Sequence, residues 1–292
     1  MAKANLTMTT DLSVQARELD FVTRFTDTWE ALRQVIGIMR PIRKSPGTKL
    51  KSYKATLTLQ DGNVAEGEEI PLSKAVVEEV AYADLILEKY AKGVTIEDVE
   101  KYGAAIAVQK TDEAFLRELQ SSVLNRMYDF IKTGTLTGTE SDFQMAVAMA
   151  IGKVKDKFKK LRKNGSRTVV WVNTLDAYRY LGATQITVQS QFGIDYIENF
   201  MGADVMILSS EIPVNTVIAT PVDNIVLYYI DPGDSDFKQL GLNYTVQGET
   251  NLIGFHAQPV YNTATGEVYA LMGMALWAEY LDAIAVITVS GT

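Results

Sequence analysis

The stretch that most constrains how this chain folds runs from Thr111 to Lys132, with the sequence TDEAFLRELQSSVLNRMYDFIK. Its apolar side chains recur three and four residues apart, which is the spacing of one helix face: Leu116, Leu119, Val123, Met127, Phe130 and Ile131. Thr111 and Asp112 can cap the start of this helix, and Gly134 can take the left-handed conformation that ends it. About twenty helical residues span roughly 30 Å. We therefore expect a helix that bridges a strand-rich region before it and a compact region after it.

The sequence before this helix predicts an arm and a projecting hairpin. Residues 1–45 start polar and then carry apolar residues at helical spacing, with too little apolar surface for a core of their own: Phe21, Phe25, Trp29, Leu32 and Ile36. From Lys49 to Leu59, apolar and polar residues alternate as they do in a strand, and Asp61-Gly62-Asn63 is a turn signal. The return stretch, VAEGEEIPLS (64–73), is acidic. Because such a hairpin cannot bury both faces, we expect it to project and to contact another molecule.

Residues 75–92 predict a further strand, and Thr95 is expected to cap a short helix that follows it. After the long helix, a second one is expected to start at Thr139 or Ser141 and to reach about Lys163, with the stripe Ile151, Val154, Phe158 and Leu161. Seven cations lie between residues 153 and 163 of this helix. They favour a solvated face with cations near the negative helix end, while a nucleic-acid surface remains the alternative.

Residues 135–230 alternate between helical and strand patterns. We expect a buried strand over 167–172, a helix from Asn173 to Leu181 that stops at Gly182, and a short helix over 196–201. Three strands are then expected over 205–208, 217–219 and 225–230. This alternation predicts a compact α/β sub-domain. Residues 235–292 predict strands that return to the first sheet, so the chain leaves one domain and comes back to it.

Composition gives little support for catalysis. The chain has no cysteine and a single histidine, His256, so neither a thiolate site nor a histidine metal cluster can form. None of the common nucleotide-binding, hydrolase or metalloprotease motifs occurs. The first residues lack the apolar core of a secretory signal, and no apolar run reaches the roughly 18 residues of a membrane span. We expect no catalytic, cofactor-binding or metal-binding residues, with an unrecognised α/β enzyme as a weaker alternative.

The order of the elements resembles the major capsid proteins of tailed bacteriophages, which share the Hong Kong ninety-seven type shell fold. An arm, a projecting hairpin, a long helix, an inserted α/β sub-domain and a returning set of strands follow one another in that order. Four segments carry the resemblance, and together with the regions between them they extend over nearly the whole chain: Glu66–Ser73, Thr111–Lys132, Val169–Gly182 and Gly202–Tyr229. None of these segments is specific by itself, but their order is hard to reproduce by chance.

The resemblance implies an α+β fold with an N-terminal arm over residues 1–48 and an extended loop over 49–72. It implies a peripheral domain that combines 73–134 with 235–292 and contains the long spine helix. An axial α/β domain would occupy 135–234 and meet its copies around the capsomer axis. In this assignment the extended loop lies over the adjacent subunit, and its contact residues would be Tyr53, Leu57, Asp61, Gly62, Glu66, Glu68 and Glu69.

The resemblance also implies partners and a location. The chain would form homo-pentamers and homo-hexamers of a phage head that encloses double-stranded DNA, bound without sequence specificity. A portal protein is expected as a partner, and no contact with a membrane is expected. The chain would assemble in the host bacterial cytoplasm and end in the virion. The arm begins almost at Met1, which favours a separate scaffolding protein, or none, over a fused one. Residues 55–73 hold no lysine, which favours non-covalent holding or a decoration protein over covalent links. An encapsulin, a cargo compartment of the same fold, is the alternative.

Overall fold

The computed structural model describes residues 18, 20–26, 40–163, 167–182, 188–191, 194–247 and 251–290. Their strands form a five-stranded sheet, a seven-stranded sheet and a separate two-stranded hairpin. Of the amphipathic arm, Phe21 and Phe25 lie in helix α1, which includes residues 20–26. The other members of the predicted stripe, Trp29, Leu32 and Ile36, lie outside the described residues.

The secondary structure is mixed throughout the chain. The strands are β1 (Arg40–Arg43), β2 (Lys49–Thr58), β3 (Lys74–Asp84), β4 (Leu87–Thr95), β5 (Leu136–Glu140), β6 (Thr168–Val172), β7 (Gln189–Gln191), β8 (Ile194–Phe200), β9 (Ala203–Leu208), β10 (Thr216–Pro221), β11 (Ile225–Ile230), β12 (Ile253–Val260), β13 (Thr265–Ala278) and β14 (Ala285–Val289). The helices after α1 are α2 (Ile96–Tyr102), α3 (Thr111–Ile131), α4 (Phe143–Lys160), α5 (Thr174–Leu181) and α6 (Ser235–Gln239).

Helix α3 confirms the predicted long helix and most of its buried face, with Phe130 only half-buried and Tyr128 buried in addition, but not its predicted ends. Residues Ala105–Lys110 form a π-helical turn that runs directly into α3, so Thr111 is not a cap. Its hydroxyl instead lies 2.6 Å from the carbonyl oxygen of Ala107 and 3.0 Å from that of Val108. The start was wrong because a helical turn already precedes Thr111, whose side chain bonds backward to that turn.

The predicted role of Gly134 was also wrong. Its φ is not in the left-handed range, and α3 ends with Lys132 in a right-handed conformation. A Cβ atom at Gly134 would lie 2.6 Å from both the carbonyl oxygen and Cγ2 of Ile284. Glycine is therefore required here by close packing against the segment that leads into β14, because any side chain would overlap that segment.

The five-stranded sheet is organised around the long strand β13. Strands β4, β11 and β12 all pair antiparallel with β13, and β1 joins at the edge, parallel to β11. Helix α3 and helix α1 pack with this sheet in one core, where the Phe21 ring stacks on Phe255 with centroids 5.2 Å apart. The apolar spacing of α1 therefore reflects its burial against the sheet.

The seven-stranded sheet has the order β5-β14-β10-β6-β9-β8-β7. Strand β6 is buried along its whole length, as its continuous apolar run predicted, and α4 packs over β10 and β14. Asn173 caps α5 by accepting the Leu175 amide at 2.8 Å, which confirms that predicted cap. The predicted domain boundaries themselves stay a prediction. Two strands pair in the sheet of the other predicted domain. Strand β11, within 135–234, belongs to the five-stranded sheet, and β14, within 235–292, belongs to the seven-stranded sheet.

Two further expectations are corrected by local geometry. Residues 196–201, predicted as a short helix, lie mainly in strand β8, which pairs antiparallel with β9. Met201 and Gly202 both have positive φ, 51° and 88°, and form the tight turn between the two strands. Helix α4 is capped by Asp142, whose carboxylate accepts the Met145 amide at 2.9 Å, because Thr139 already belongs to β5.

Candidate inter-subunit interface

Among the residues that the structure describes, the hairpin β2–β3 is anchored at its base. Its strands pair antiparallel from Lys49 opposite Asp84 to Thr58 opposite Lys74, with one register irregularity next to Tyr53. At the base, Leu50 and Leu85 are buried, and Leu85 packs with the cluster around Phe237. Within the described part of the chain, β2 and β3 pair with each other and pack extensively against no other helix or strand. A ten-residue strand extends roughly 33 Å, so the far end projects well away from its anchor.

The tip of the hairpin, residues 59–73, is held by two short local turns. The Asp61 carboxylate accepts the Asn63 amide at 3.0 Å, so the predicted turn signal forms a turn. The Glu68 amide donates to the Ala65 carbonyl at 3.1 Å, around Gly67 with a φ of 90°. The return strand therefore starts only at Lys74 and extends beyond the predicted limit of the hairpin at residue 72.

The distal part of the hairpin has one apolar face that its own chain leaves uncovered. Leu57 lies opposite Ala75, and Val77 follows two residues later on the same side of the strand. The side chains of Leu57 and Val77 are 57% and 62% exposed. The opposite face carries Thr58, Lys74, Val76 and Glu78. We refer to Leu57, Ala75 and Val77 as the apolar face of the hairpin.

More apolar side chains are exposed in the tip itself: Leu59 by 76%, Ile70 by 70% and Leu72 by 93%. Scattered exposed apolar residues are ordinary on a protein surface, but a contiguous set marks an interaction site. An isolated two-stranded hairpin is also at best marginally stable in water. Both arguments favour a hairpin that is covered by another molecule.

The predicted contact residues remain a prediction, and most of them lie at this exposed end. Leu57, Asp61, Gly62, Glu66, Glu68 and Glu69 are all exposed. Tyr53 lies midway along β2 with its Cα opposite that of Glu79, and its side chain is outside the described set. Sequence reasoning did not include Leu59, Ile70, Leu72 or Val77. The available signal was the presence of bulky apolar residues in an otherwise acidic, turn-rich stretch.

His256 takes part in a structural contact. Its Nδ1 lies 3.2 Å from the carboxylate of Glu18, beside α1. The same carboxylate accepts the Ala257 amide at 2.5 Å and the Thr245 hydroxyl at 2.6 Å. Glu18 is buried, so these donors replace the water that its carboxylate loses. The histidine thus belongs to a polar clamp that fixes α1 against β12.

One cleft of the described chain is lined by carboxylates that make structural contacts. The cleft at Asp142, Asp176 and Arg179 encloses about 440 Å³, and there the buried Asp176 carboxylate accepts the Asn215 amide at 2.5 Å. Among the described residues, no group of three or more His, Cys, Asp or Glu could hold a metal ion. Also within those residues, no helix is long and apolar enough to cross a membrane.

Four groups have pKa values that local contacts or burial perturb. Burial raises the pKa of the Tyr128 hydroxyl, and burial together with the Glu88 carboxylate raises that of Tyr90. Hydrogen bonds to Tyr280 and Glu279 raise the pKa of Lys163, and the Arg43 guanidinium lowers that of Asp234. Each of these shifts moves a group further from neutrality. A carboxyl, lysine or tyrosine side chain that acts as a general acid or base near pH 7 works best with a pKa shifted towards neutrality, opposite to these shifts.

No family model and no curated protein matches this chain. Solved structures do match. The capsid of cyanophage A-1(L) is 11% identical with a TM-score of 0.59, over 88% of this chain and 92% of that chain. The capsid of cyanophage P-SCSP1u is 9% identical with a TM-score of 0.55, over 87% of each chain. The SrpI encapsulin of Synechococcus elongatus is 10% identical with a TM-score of 0.51, over 88% of this chain and 86% of that one.

At such low identities these similarities establish the fold alone. The chain has the Hong Kong ninety-seven type capsid fold, in agreement with the resemblance of its sequence to tailed-phage major capsid proteins. The projecting hairpin with its uncovered apolar face is the part of that fold whose geometry suggests a contact between copies.

Proposed function

We propose that this chain is a shell-forming major capsid protein of a tailed bacteriophage. It assembles into pentamers and hexamers of an icosahedral head that encloses double-stranded DNA, and it performs no catalysis. The observation that carries this proposal is the projecting hairpin on a capsid fold, whose apolar face and apolar tip residues are left exposed by its own chain.

The physical argument concerns the kind of contact that such a hairpin can make. The hairpin is anchored at its base, and its exposed apolar face and tip residues lie at the far end. A second molecule is therefore needed to bury these apolar side chains. When identical chains meet through two different surfaces, the contact repeats head to tail, and a suitable rotation closes it into a ring. Rings of five and six copies are the building units of an icosahedral shell.

The domain roles follow from the same proposal. Residues 1–48 act as the arm, 49–72 as the extended loop over the adjacent subunit, and 73–134 with 235–292 as the peripheral domain. Residues 135–234 form the axial domain around the capsomer axis. A separate scaffolding protein and a portal protein take part in assembly, which takes place in the host cytoplasm. The finished virion holds the shell without covalent links, with or without a decoration protein.

The test is electron microscopy of the expressed protein, with and without a co-expressed scaffolding protein. We expect discrete icosahedral particles, whereas a persistently monomeric chain would contradict the proposal. Deleting residues 61–69 should leave a folded monomer, with circular dichroism and urea unfolding like those of the full chain, that forms few or no shells. Normal shells from this deletion would remove the role proposed for the tip.

The similarity in fold to the SrpI encapsulin supports a second candidate, a nanocompartment shell that holds a protein cargo. The two candidates differ in what they enclose and in what closes them. An encapsulin-type shell closes into small particles from the chain alone and retains a protein cargo. A phage head requires scaffolding for correct closure and takes up DNA through its portal. Particle size and contents, measured on shells purified from the native host, decide between them.

A further inference from the structure

We propose that the acidic tip of the hairpin docks on the basic end of helix α4 of a second copy. The acidic tip is defined as Asp61, Glu66, Glu68 and Glu69. The basic end of α4 is defined as the seven cations of its last turns and of the turn that follows the helix: Lys153, Lys155, Lys157, Lys159, Lys160, Arg162 and Lys163. This inference rests on the proposed function, because it assigns a receiving surface to the hairpin of the neighbouring subunit.

The four carboxylates of the acidic tip lack a cationic partner among the described residues. All four side chains are exposed, and residues 55–73 contain no lysine or arginine. The hydrogen bonds of the tip are local: Asp61 accepts the Asn63 amide at 3.0 Å, and Glu68 accepts the Ala65 amide at 3.4 Å. The tip therefore presents four unbalanced negative charges at the end of a projecting element.

Only part of the charge at the basic end of α4 is balanced by the same chain. Lys157 pairs with Asp282 at 2.6 Å, and Lys163 with Glu279 at 2.9 Å. Lys160 pairs with Asp156 on the next helical turn, also at 2.6 Å. The first two pairs hold α4 to the segment that connects β13 with β14. Three of the seven cations thus have a carboxylate partner in the folded chain.

The other four cations have no carboxylate partner among the described residues. Lys153 donates to the carbonyl oxygen of Thr137 at 2.7 Å and Lys155 to that of Gly202 at 3.3 Å, and a carbonyl carries no net charge. Lys159 and Arg162 are exposed and have no carboxylate partner in the described part of the chain. Four unbalanced cations at the basic end of α4 thus match four unbalanced carboxylates on the tip.

A second copy accounts for this surface better than nucleic acid does. The complementary charge is present in the same chain, in equal amount, on an element that projects from the body. In a ring of identical copies each chain supplies one tip and one α4, so every tip meets one basic end. Packaged DNA would instead meet a chain of net charge −8, on which three of these seven cations are already paired.

Contacts of this kind act mainly on register and association rate. Each exposed ion pair changes an equilibrium constant by only about 1.5- to 5-fold, and salt screens it over roughly 8 Å at physiological ionic strength. We therefore expect assembly to slow as salt rises from 50 to about 500 mM, with the apolar face of the hairpin still contributing to the contact.

The test is a charge swap. Lys159→Glu together with Arg162→Glu should raise the threshold concentration for assembly, measured by light scattering, about 10-fold at low salt. Adding Glu68→Lys and Glu69→Lys to the same chain restores the net charge and should restore the threshold. The matched control is Lys101→Glu with Lys110→Glu, two exposed cations outside α4, which changes the net charge equally. Urea unfolding of each dissociated variant checks that it folds.

Each outcome decides the inference separately from the proposed function. Rescue by the four-residue swap, with an inert control, supports docking of the tip on α4. The inference is overturned if the α4 reversal leaves assembly unchanged, if the swap fails to rescue it, or if the control is equally defective. It is also overturned if the α4 reversal assembles normally but loses DNA retention, because the surface then faces the genome. No particles from the unmodified chain, either with or without a co-expressed scaffolding protein, would instead contradict the proposed function.

Discussion

Two neighbouring valines of the hairpin allow a matched test of its apolar face. Val77 lies on that face and is 62% exposed, whereas Val76 lies on the opposite face and is 41% exposed. Threonine has nearly the same shape as valine and a similar preference for strands. Because both sites are exposed, each Val→Thr change should alter the free energy of unfolding of the isolated chain by less than about 0.5 kcal/mol. The two variants should differ only where copies meet.

The expected effect on assembly follows from the exposed fraction. Fully burying a valine or leucine side chain contributes about 1.5–3 kcal/mol, and more than half of that remains to be gained at Val77. Val77→Thr also buries a hydroxyl group without a partner, so we expect a loss of about 1–2 kcal/mol per contact. A closed ring has one such contact per copy. Since 1.4 kcal/mol corresponds to a tenfold change, the threshold concentration should rise about 5- to 30-fold.

The assay is light scattering across a protein concentration series, with sedimentation velocity to count free chains at each concentration. Val77→Thr should assemble only at the higher threshold, while Val76→Thr should assemble like the unmodified chain. If both variants assemble at the threshold of the unmodified chain, the argument that this face is covered in the shell is refuted. An equal rise in both would show that the whole hairpin, and not one face of it, is buried.

Three further predictions concern the stability of the dissociated chain. Gly134→Ala should lower the free energy of unfolding in urea by about 1–3 kcal/mol, because its Cβ would lie 2.6 Å from the carbonyl oxygen of Ile284. The control Gly152→Ala lies in a helix with open space around it and should stabilise the chain by about 0.5–1 kcal/mol. An unchanged stability for Gly134→Ala would contradict the packing argument. Glu18→Ala should cost about 1–3 kcal/mol, since it leaves a buried backbone amide without its acceptor, and unchanged unfolding would show that the clamp contributes nothing. Arg43→Gln should destabilise the chain at neutral pH, because the guanidinium holds the pKa of Asp234 below its ordinary value of 3.8. This contribution to stability is present above pH 3.8 and is lost as pH falls through the lowered pKa, so the unfolding free energies of the two chains should converge in acid. A constant difference between them at all pH values would refute the coupling.

The elements that sequence predicted well are those with a local cause. Helix α3 follows from apolar spacing, and α5 from the cap at Asn173 and the stop at Gly182. Strand β6 follows from a continuous apolar run. The hairpin follows from alternation and from the turn at Asp61. In each case the pattern that identifies the element lies within the element itself, so no knowledge of distant partners is needed.

Strand β8 shows why a local pattern can mislead. Asn199 has a φ of 53° inside this strand and interrupts its alternation. Ile197 and Phe200 are therefore both buried in the same cluster although they are three residues apart, which is the spacing of a helix face. The partner strand β9 decides the outcome through its antiparallel pairing. In the sequence, Asn199 and Gly202 are residue types that readily adopt the left-handed backbone seen here, which argues against a continuous helix.

Membership of a sheet was not predictable for β11 and β14. Strand β11 leaves the sheet of its predecessor β10, and β14 crosses back to pair in parallel with β5. The position of β14 depends on contacts between residues 150 positions apart, such as Ser290 with Glu140. That of β11 depends on pairing with the distant strand β13, such as Val226 with Trp277. The sequence predicted where the candidate interface lies but not all of the residue types that form it. The acidic and turn residues were identified, whereas Val77 depends on a register that only the paired strands define.

The most direct test of the central claim, that copies of this chain hold one another through the hairpin, is thiol labelling before and after assembly. The chain contains no cysteine, so Leu57→Cys and Thr58→Cys each introduce a single thiol, on opposite faces of the hairpin. In dissociated chains both thiols should react at similar rates. In assembled shells we predict that the thiol of Leu57→Cys reacts at least tenfold more slowly while that of Thr58→Cys is little changed. Full reactivity of Leu57→Cys within intact shells would contradict the account.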